Sequence, residues 1–270
     1  MPELPEVETI RAGLSPHLSG RRIEQVQCFR PDLRYPLPDM RVLHGRVCQR
    51  VERRAKYLQF FFDDVLLVWH LGMTGRFHVV PADTSIAAHE HVRFTLTQDE
   101  CLIYRDARRF GYAGLMPPDT WQAHPWFARL GPEPLGADFD GEYLAECCRG
   151  RKGPIKPLLM NAAVVVGVGN IYACEALFRC GIHPARAAGR ISRARLGLLA
   201  DVVREVLSKA IASGGSTISD FARVDGSPGY FAHHFAVYGR QGEACPQCAQ
   251  PIRRSIQAGR STFYCSRCQR

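Results

Sequence analysis

The sequence predicts an α+β, multidomain chain: a helix leading a β-sandwich or barrel, then a helical region, then a zinc-ribbon finger. Three observations carry this. Apolar–polar alternation with short polar links fills 21–112, a helical period dominates 155–212, and two CxxC pairs stand near the end.

Taken in order, 5–18 reads as a helix because Val7, Ile10 and Leu14 recur at helical spacing. RRIEQVQCF, RAKYLQFFF, VLLVWHLGM, HVRFTLTQ and CLIYRDARRFGY then read as strands. Asp63-Asp64 and Gln98-Asp99-Glu100 supply hairpin turns between them. The stretch 130–153 is rich in Gly, Pro and acids and reads as containing the interdomain hinge. IKPLLMNA forms a short helix, and NIYACEALFRC forms another that stops at Gly181, a natural C′ residue. Ser192 opens a long helix with Leu196, Leu199, Val203, Val206, Leu207, Ala210 and Ile211 on its apolar side, closed by Gly214-Gly215. The expected division is 1-131, 132-235 and 236-270.

At 270 residues the chain has room for two or three cores, and 46% hydrophobic residues fit a globular protein. Thirty-five Lys and Arg against 26 Asp and Glu leave a net charge of +9, which points to a polyanionic partner. No run of 18 apolar residues exists, so no membrane span is expected. The first residues lack a signal peptide's basic-then-apolar layout, and a cytoplasmic protein is expected.

The first ten residues, MPELPEVETI, hold the most chemistry. Removal of Met1 leaves Pro2 with a free secondary amine, followed by Glu3 and Glu6. Such an amine titrates near ~8, so a useful fraction is nucleophilic at neutral pH. Attack on a sugar carbon gives an iminium ion without an N–H proton to lose, a lasting electron sink. Glu3 is close enough in sequence to exchange a proton there. The same residues also suit an ordinary helix start, where prolines and acids are favoured.

Eleven cysteines, an odd number in a chain of this size, do not suggest a disulfide framework. Seven lack ligand spacing and read as free thiols. Cys245, Cys248, Cys265 and Cys268 form two CxxC pairs separated by 16 residues, the pattern of one structural Zn2+ in a closed tetrahedral site. Between them, two short strands turn at Ala258-Gly259, and Arg260 beside the turn is placed to touch phosphates. Gly167-Val168-Gly169-Asn170 offers another anion site, with Asn170 as a helix N-cap, although a plain packing loop would read alike.

PELPEVET, RRAKYL, HLGMTG, RDARRFG, GVGNIYA, GGST, DGSPGYF, VYGRQGEAC and the CxxC pairs occur in that order. In this combination the chain resembles the formamidopyrimidine-DNA glycosylases, bacterial repair enzymes for 8-oxoguanine, over its whole length. The resemblance implies an N-terminal β-sandwich, a helix–two-turn–helix domain and a zinc finger, with DNA in the cleft between. It implies Pro2 as nucleophile at C1′, Glu3 as general acid–base, Glu6 as support and Lys56 near the lesion. Met73, Arg108 and Phe110 would fill the hole left by the flipped nucleotide, with Arg109 beside them on DNA. His70, Asn170 and Arg260 would grip phosphates, Lys156 less directly, and Thr217 in the 214–230 loop would contact the extruded base. The partner would be duplex DNA carrying oxidised bases or AP sites, bound by a monomer that joins the nucleoid when on DNA.

Two other readings compete. An endonuclease VIII-type glycosylase would prefer oxidised pyrimidines; PELPE and the Met73, Arg108, Phe110 set argue against it. A non-catalytic zinc-ribbon DNA-binding protein would explain the charge but has no use for Pro2, Glu3 and Lys56 together.

Overall fold

The structure, a computed structural model, describes residues 1–216 and 235–270. Its contacts divide the chain into two units. One takes in Met1–Ala128 together with the described residues 213–216; the other takes in Arg129–Ala212 and 235–270.

In the first unit, helix α1 (Leu4–Leu18) precedes β1 (Arg21–Cys28), β2 (Val47–Cys48), β3 (Arg50–Arg54), β4 (Tyr57–Phe61), β5 (Leu66–His70), β6 (Arg76–Pro81), β7 (Glu90–Leu96), β8 (Glu100–Arg105) and β9 (Tyr112–Met116). Two antiparallel sheets result, ordered β2-β1-β7-β8-β6 and β3-β4-β5-β9. They are separate sheets sharing one core, so the arrangement is a sandwich and not a closed barrel. Trp69 of β5 shows why: its ring meets Phe77, Phe94 and Tyr104 of the opposite sheet at centroid distances of 5.1, 6.2 and 4.6 Å. Val7, Ile10, Leu14 and Leu18 of α1 bury into the same core. The turn expected at Gln98-Asp99-Glu100 falls at 97–99 between β7 and β8, with Gln98 and Asp99 at positive φ, 71° and 57°, and Glu100 already opening β8.

The second unit contains α2 (Gly141–Cys148), α3 (Ile155–Leu159), α4 (Asn170–Arg179), α5 (Arg193–Ala212) and the hairpin β10 (Arg253–Gln257) and β11 (Arg260–Tyr264). Helix α2 packs on α5 so closely that a Cβ on Gly141 would lie 2.6 Å from the Gly197 Cα. Helix α4 ends as expected: Gly181 at φ 63° lets its N–H reach Phe178 O and the Ile182 N–H reach Leu177 O, both carbonyls otherwise left open. The ribbon does not stand alone. Val237, Cys245, Ile252 and Cys265 share a core with Cys174 and Phe178 of α4.

Several expectations need correction. The stretch expected to contain the hinge also holds α2, which the sequence does not announce; Asp140 accepts the Tyr143 N–H at 2.8 Å and caps it. The single strand expected over 101–112 breaks at Arg105 into a loop before β9, and the strand over 65–73 stops at His70. The loop after each break contains a residue at positive φ, Arg109 (57°) and Gly72 (68°). Strands β3 and β6 went unanticipated, since RVERR is largely charged and RFHVVP lacks clean alternation. Among the described residues, no helix is long and apolar enough to cross a membrane.

Candidate active site and nucleic-acid grip

The chain start is held by buried carboxylates. Glu3 and Glu6 are both almost fully buried. Glu6 uses both oxygens: Oε2 accepts the Glu3 N–H at 2.8 Å, while Oε1 accepts the Ser216 N–H at 3.0 Å and hydroxyl at 2.8 Å. One side chain thus ties the first turn of α1 to the 213–216 segment. The resemblance implies a supporting role for Glu6, but nothing in the GGST motif announces Ser216 as its partner.

A second clamp positions Lys56. Strands β3 and β4 pair through Arg54 and Tyr57, leaving Ala55 and Lys56 as the turn, with Ala55 at φ 55°. Arg53 donates to Glu8 of α1 at 2.9 Å and to the Ala55 carbonyl at 2.9 Å, fixing this turn against the helix. The free amine, carried by Met1, is pushed below its ordinary value of 8.0. Burial is the main cause; the Lys56 and Arg108 cations add to it, against Glu3 and Glu6. Those influences gather the chain start, the Lys56 turn and Arg108 into one electrostatic neighbourhood.

His70 belongs to it too. Its ring stacks on Tyr112 at 4.9 Å and meets Tyr57 edge-on at 5.1 Å. Burial, then the cations Lys56 and Arg34 and the chain amine, hold its pKa down to about 4. Nδ1 accepts the Gly72 N–H at 3.1 Å, so the neutral ring carries its proton on Nε2. A neutral imidazole with one committed nitrogen and one N–H donor suits a phosphate oxygen.

Met73 and Phe110 are 40% and 41% exposed, so neither belongs to the sandwich core. The Arg108 guanidinium lies 4.7 Å from the Phe110 ring centroid, and Arg109 is exposed alongside.

In the second unit, Asn170 is not the cap of α4. Gly169 takes that place, and Asn170 is the first helical residue. Its amide donates to the Ser261 carbonyl at 2.9 Å and its Oδ1 accepts from Lys156 Nζ at 2.6 Å. Lys156 is 1% exposed and also donates to Thr262 at 2.8 Å, so it braces Asn170 and the hairpin from inside and is not placed to grip phosphate itself. Arg260, exposed and next to Ser261, shares this locality with Asn170. Buried Glu175 of α4 accepts the N–H groups of Ala236, Val237 and Tyr238 at 2.9, 3.0 and 2.9 Å, pinning the start of the ribbon. Thr217 lies outside the described residues.

The four ribbon cysteines place their sulfurs within 4.8 Å of one another. Cys245 and Cys268 stand 3.9 Å apart, and Cys248 and Cys265 3.5 Å. A zinc–sulfur tetrahedron with bonds of ~2.3 Å has edges of about 3.8 Å, so the set fits one structural Zn2+. Burial opposes ionisation of Cys265, yet the backbone N–H groups of Cys268 and Arg267 and the neighbouring thiols bring its pKa down to about 7.

Family models agree with this arrangement piece by piece. The N-terminal domain of formamidopyrimidine-DNA glycosylase matches residues 1–113, its H2TH domain 130–222, and the zinc finger found in FPG and IleRS 242–270. The chain belongs to the formamidopyrimidine-DNA glycosylase family. Family members of that name from Thioalkalivibrio sulfidiphilus and Geotalea uraniireducens are 51% and 50% identical over 272 and 271 aligned residues, covering all of each chain. A Lactococcus lactis Fpg variant solved with Fapy-dG-containing DNA superposes with a TM-score of 0.92 at 36% identity, covering 99% of both chains. The wild-type Lactococcus glycosylase with oxidised-pyrimidine DNA gives 0.91 at the same identity and coverage.

Proposed function

We propose that this chain excises oxidised purines, 8-oxoguanine and formamidopyrimidines, from duplex DNA and then cleaves the strand by β- and δ-elimination. It is a base-excision-repair DNA glycosylase and AP lyase with one structural zinc. The observation that carries the mechanism is the chain amine held below its ordinary pKa beside buried Glu3 and Glu6 and the Lys56 turn. Loss of Met1 exposes the Pro2 nitrogen as the new chain amine beside the same carboxylates, and Pro2 is itself half-buried.

The Pro2 nitrogen attacks C1′, and the glycosidic electron pair leaves with the base, which gains a proton. Glu3 gives a proton to the ring oxygen as the sugar opens, leaving an iminium between Pro2 and C1′. The cation acidifies C2′; loss of that proton expels the 3′ phosphate. A second proton loss along the conjugated chain expels the 5′ phosphate, and water releases the sugar fragment from Pro2. Only the neutral amine attacks, so partial burial of the Pro2 nitrogen would favour the first step. One nucleophile therefore serves both activities.

The nucleotide must leave the stack before Pro2 can reach C1′, and apolar wedges commonly fill the hole. Met73 and Phe110, exposed on paired loops, fit that task, with Arg108 for the widowed base. His70, Asn170 and Arg260 serve as phosphate grips, and Thr217 is retained as the base contact. In this reading 1-131 carries the chemistry, while 132-235 and 236-270 carry the grip. Work in the cytoplasm at the nucleoid follows from the substrate.

A lesion panel tests the choice of substrate. Single-turnover rates should be highest on duplexes with 8-oxoguanine or formamidopyrimidine opposite cytosine, leaving a one-nucleotide gap flanked by phosphates. Faster cleavage at thymine glycol would transfer the chain to the oxidised-pyrimidine reading, which the solved Lactococcus complex makes a fair competitor.

A further inference from the structure

The two loops that carry the wedge are built as one piece. Between β5 and β6 run Leu71 to Gly75; between β8 and β9 run Asp106 to Gly111. A Cβ on Gly72 would lie 2.3 Å from the Phe110 carbonyl carbon and 2.4 Å from the Gly111 nitrogen, so the backbones touch directly. The Tyr104 hydroxyl fills the remaining space, 2.1 Å from a Cβ built on Gly75 and 1.8 Å from one on Gly111.

At the centre lies the Asp106 carboxylate, buried to 1% exposure. Its Oδ1 accepts the Thr74 hydroxyl at 2.5 Å and the Arg108 N–H at 3.3 Å. Its Oδ2 accepts the Gly111 N–H at 2.8 Å and the Tyr104 hydroxyl at 3.2 Å. Thr74 closes the circuit, since its Oγ1 also accepts the Arg108 N–H at 3.1 Å. Hydrogen bonds to an ionised acceptor are the strong kind, and a buried carboxylate that loses a donor is left under-solvated. The ring of donors fixes Arg108, one residue away from Arg109 at φ 57°, in a loop that an ordinary chain would relax.

The geometry points to Thr74 and Asp106 as positioning residues for lesion extraction: they lock the loops into one wedge, so that Met73, Arg108 and Phe110 enter the duplex as a rigid unit. A wedge on two independent loops would yield when pressed against stacked bases. This rests on the excision reading above, and neither residue touches the reacting atoms.

Thr74→Val keeps the shape and removes the donor; Thr74→Ser keeps the donor. Each variant is to be compared with wild type on 8-oxoguanine opposite cytosine and on a preformed abasic site, whose nucleotide has no base to unstack. Thr74→Val should slow excision of 8-oxoguanine roughly tenfold, the factor one hydrogen bond to a charged group carries. Its cleavage of abasic DNA should stay within about twofold of wild type, and Thr74→Ser should restore excision, because only extrusion uses the lock. Unchanged excision by Thr74→Val overturns the inference. So does equal loss on both substrates accompanied by a lowered melting temperature, or a Thr74→Ser protein as slow as Thr74→Val. Wild-type protein inactive on every lesion would instead overturn the excision reading itself.

Discussion

The chain start and the zinc-bearing hairpin both bury charged side chains, yet they use them differently. At the chain start, burial and the Lys56 and Arg108 cations lower the proton affinity of the Met1 amine, next to the proposed nucleophile Pro2. Around the hairpin, Lys156 and Glu175 hold Asn170, Thr262 and residues 236–238 in place. One region tunes reactivity, the other fixes geometry. The lesson is that a buried lysine in a DNA-binding protein is to be judged by what it donates to, not by its charge.

That contrast gives the largest expected effect. Glu3→Gln should reduce base excision by about 10³-fold or more, within the range for loss of a general acid–base, and Pro2→Gly should reduce it severely. Duplex binding should survive in both, as measured by gel shift at fixed salt. Undiminished excision by Glu3→Gln removes that residue from its role, and lost binding erases the division between chemistry and grip.

Zinc comes next. Chelation, or Cys265→Ser, should weaken duplex affinity by about tenfold or more, since disorder in the ribbon withdraws Arg260 and the Ser261 and Thr262 partners of Asn170 and Lys156. The Met1/Pro2 site should be unaffected, which trapping on excess abasic DNA would register. Full affinity in demonstrably zinc-free protein contradicts this.

The smallest effect concerns His70. Its folded pKa of about 4 lies below the ordinary 6.5, so the unfolded chain binds the extra proton first as pH falls. The stability linked to neutral His70 is present above about pH 6.5 and is lost as pH falls toward 4, by roughly 1–3 kcal/mol. His70→Gln should therefore show a shallower decline in melting temperature across that window; an identical decline would mean that the ring is not held neutral.

Much of this was legible in the sequence because the signals are local. The CxxC pairs, the Ser192 start of α5 and the Gly181 stop of α4 depend on neighbours a few residues away. The chemistry proposed for Pro2 and Glu3 rests on local residues in the same way. What escaped depends on contacts across the chain. Glu6 meets Ser216, Lys156 meets Thr262, and Asp106 meets Thr74, pairings that no spacing announces. Asn170 shows the cost of a local rule: its residue type suits an N-cap, but a lysine 14 residues earlier and a carbonyl 91 residues later claim its side chain. The sequence reads through 106–111 as strand, whereas the break is enforced by a carboxylate bonding its own backbone.

The central claim is that an N-terminal proline performs both excision and strand cleavage. Protein with a verified Pro2 start is to be incubated with duplex containing 8-oxoguanine opposite cytosine in the presence of borohydride, and the reduced adduct mapped by mass spectrometry. A covalent DNA adduct on the Pro2 nitrogen is the predicted result. Efficient excision with no adduct, or an adduct on Lys56 in its place, would contradict the account.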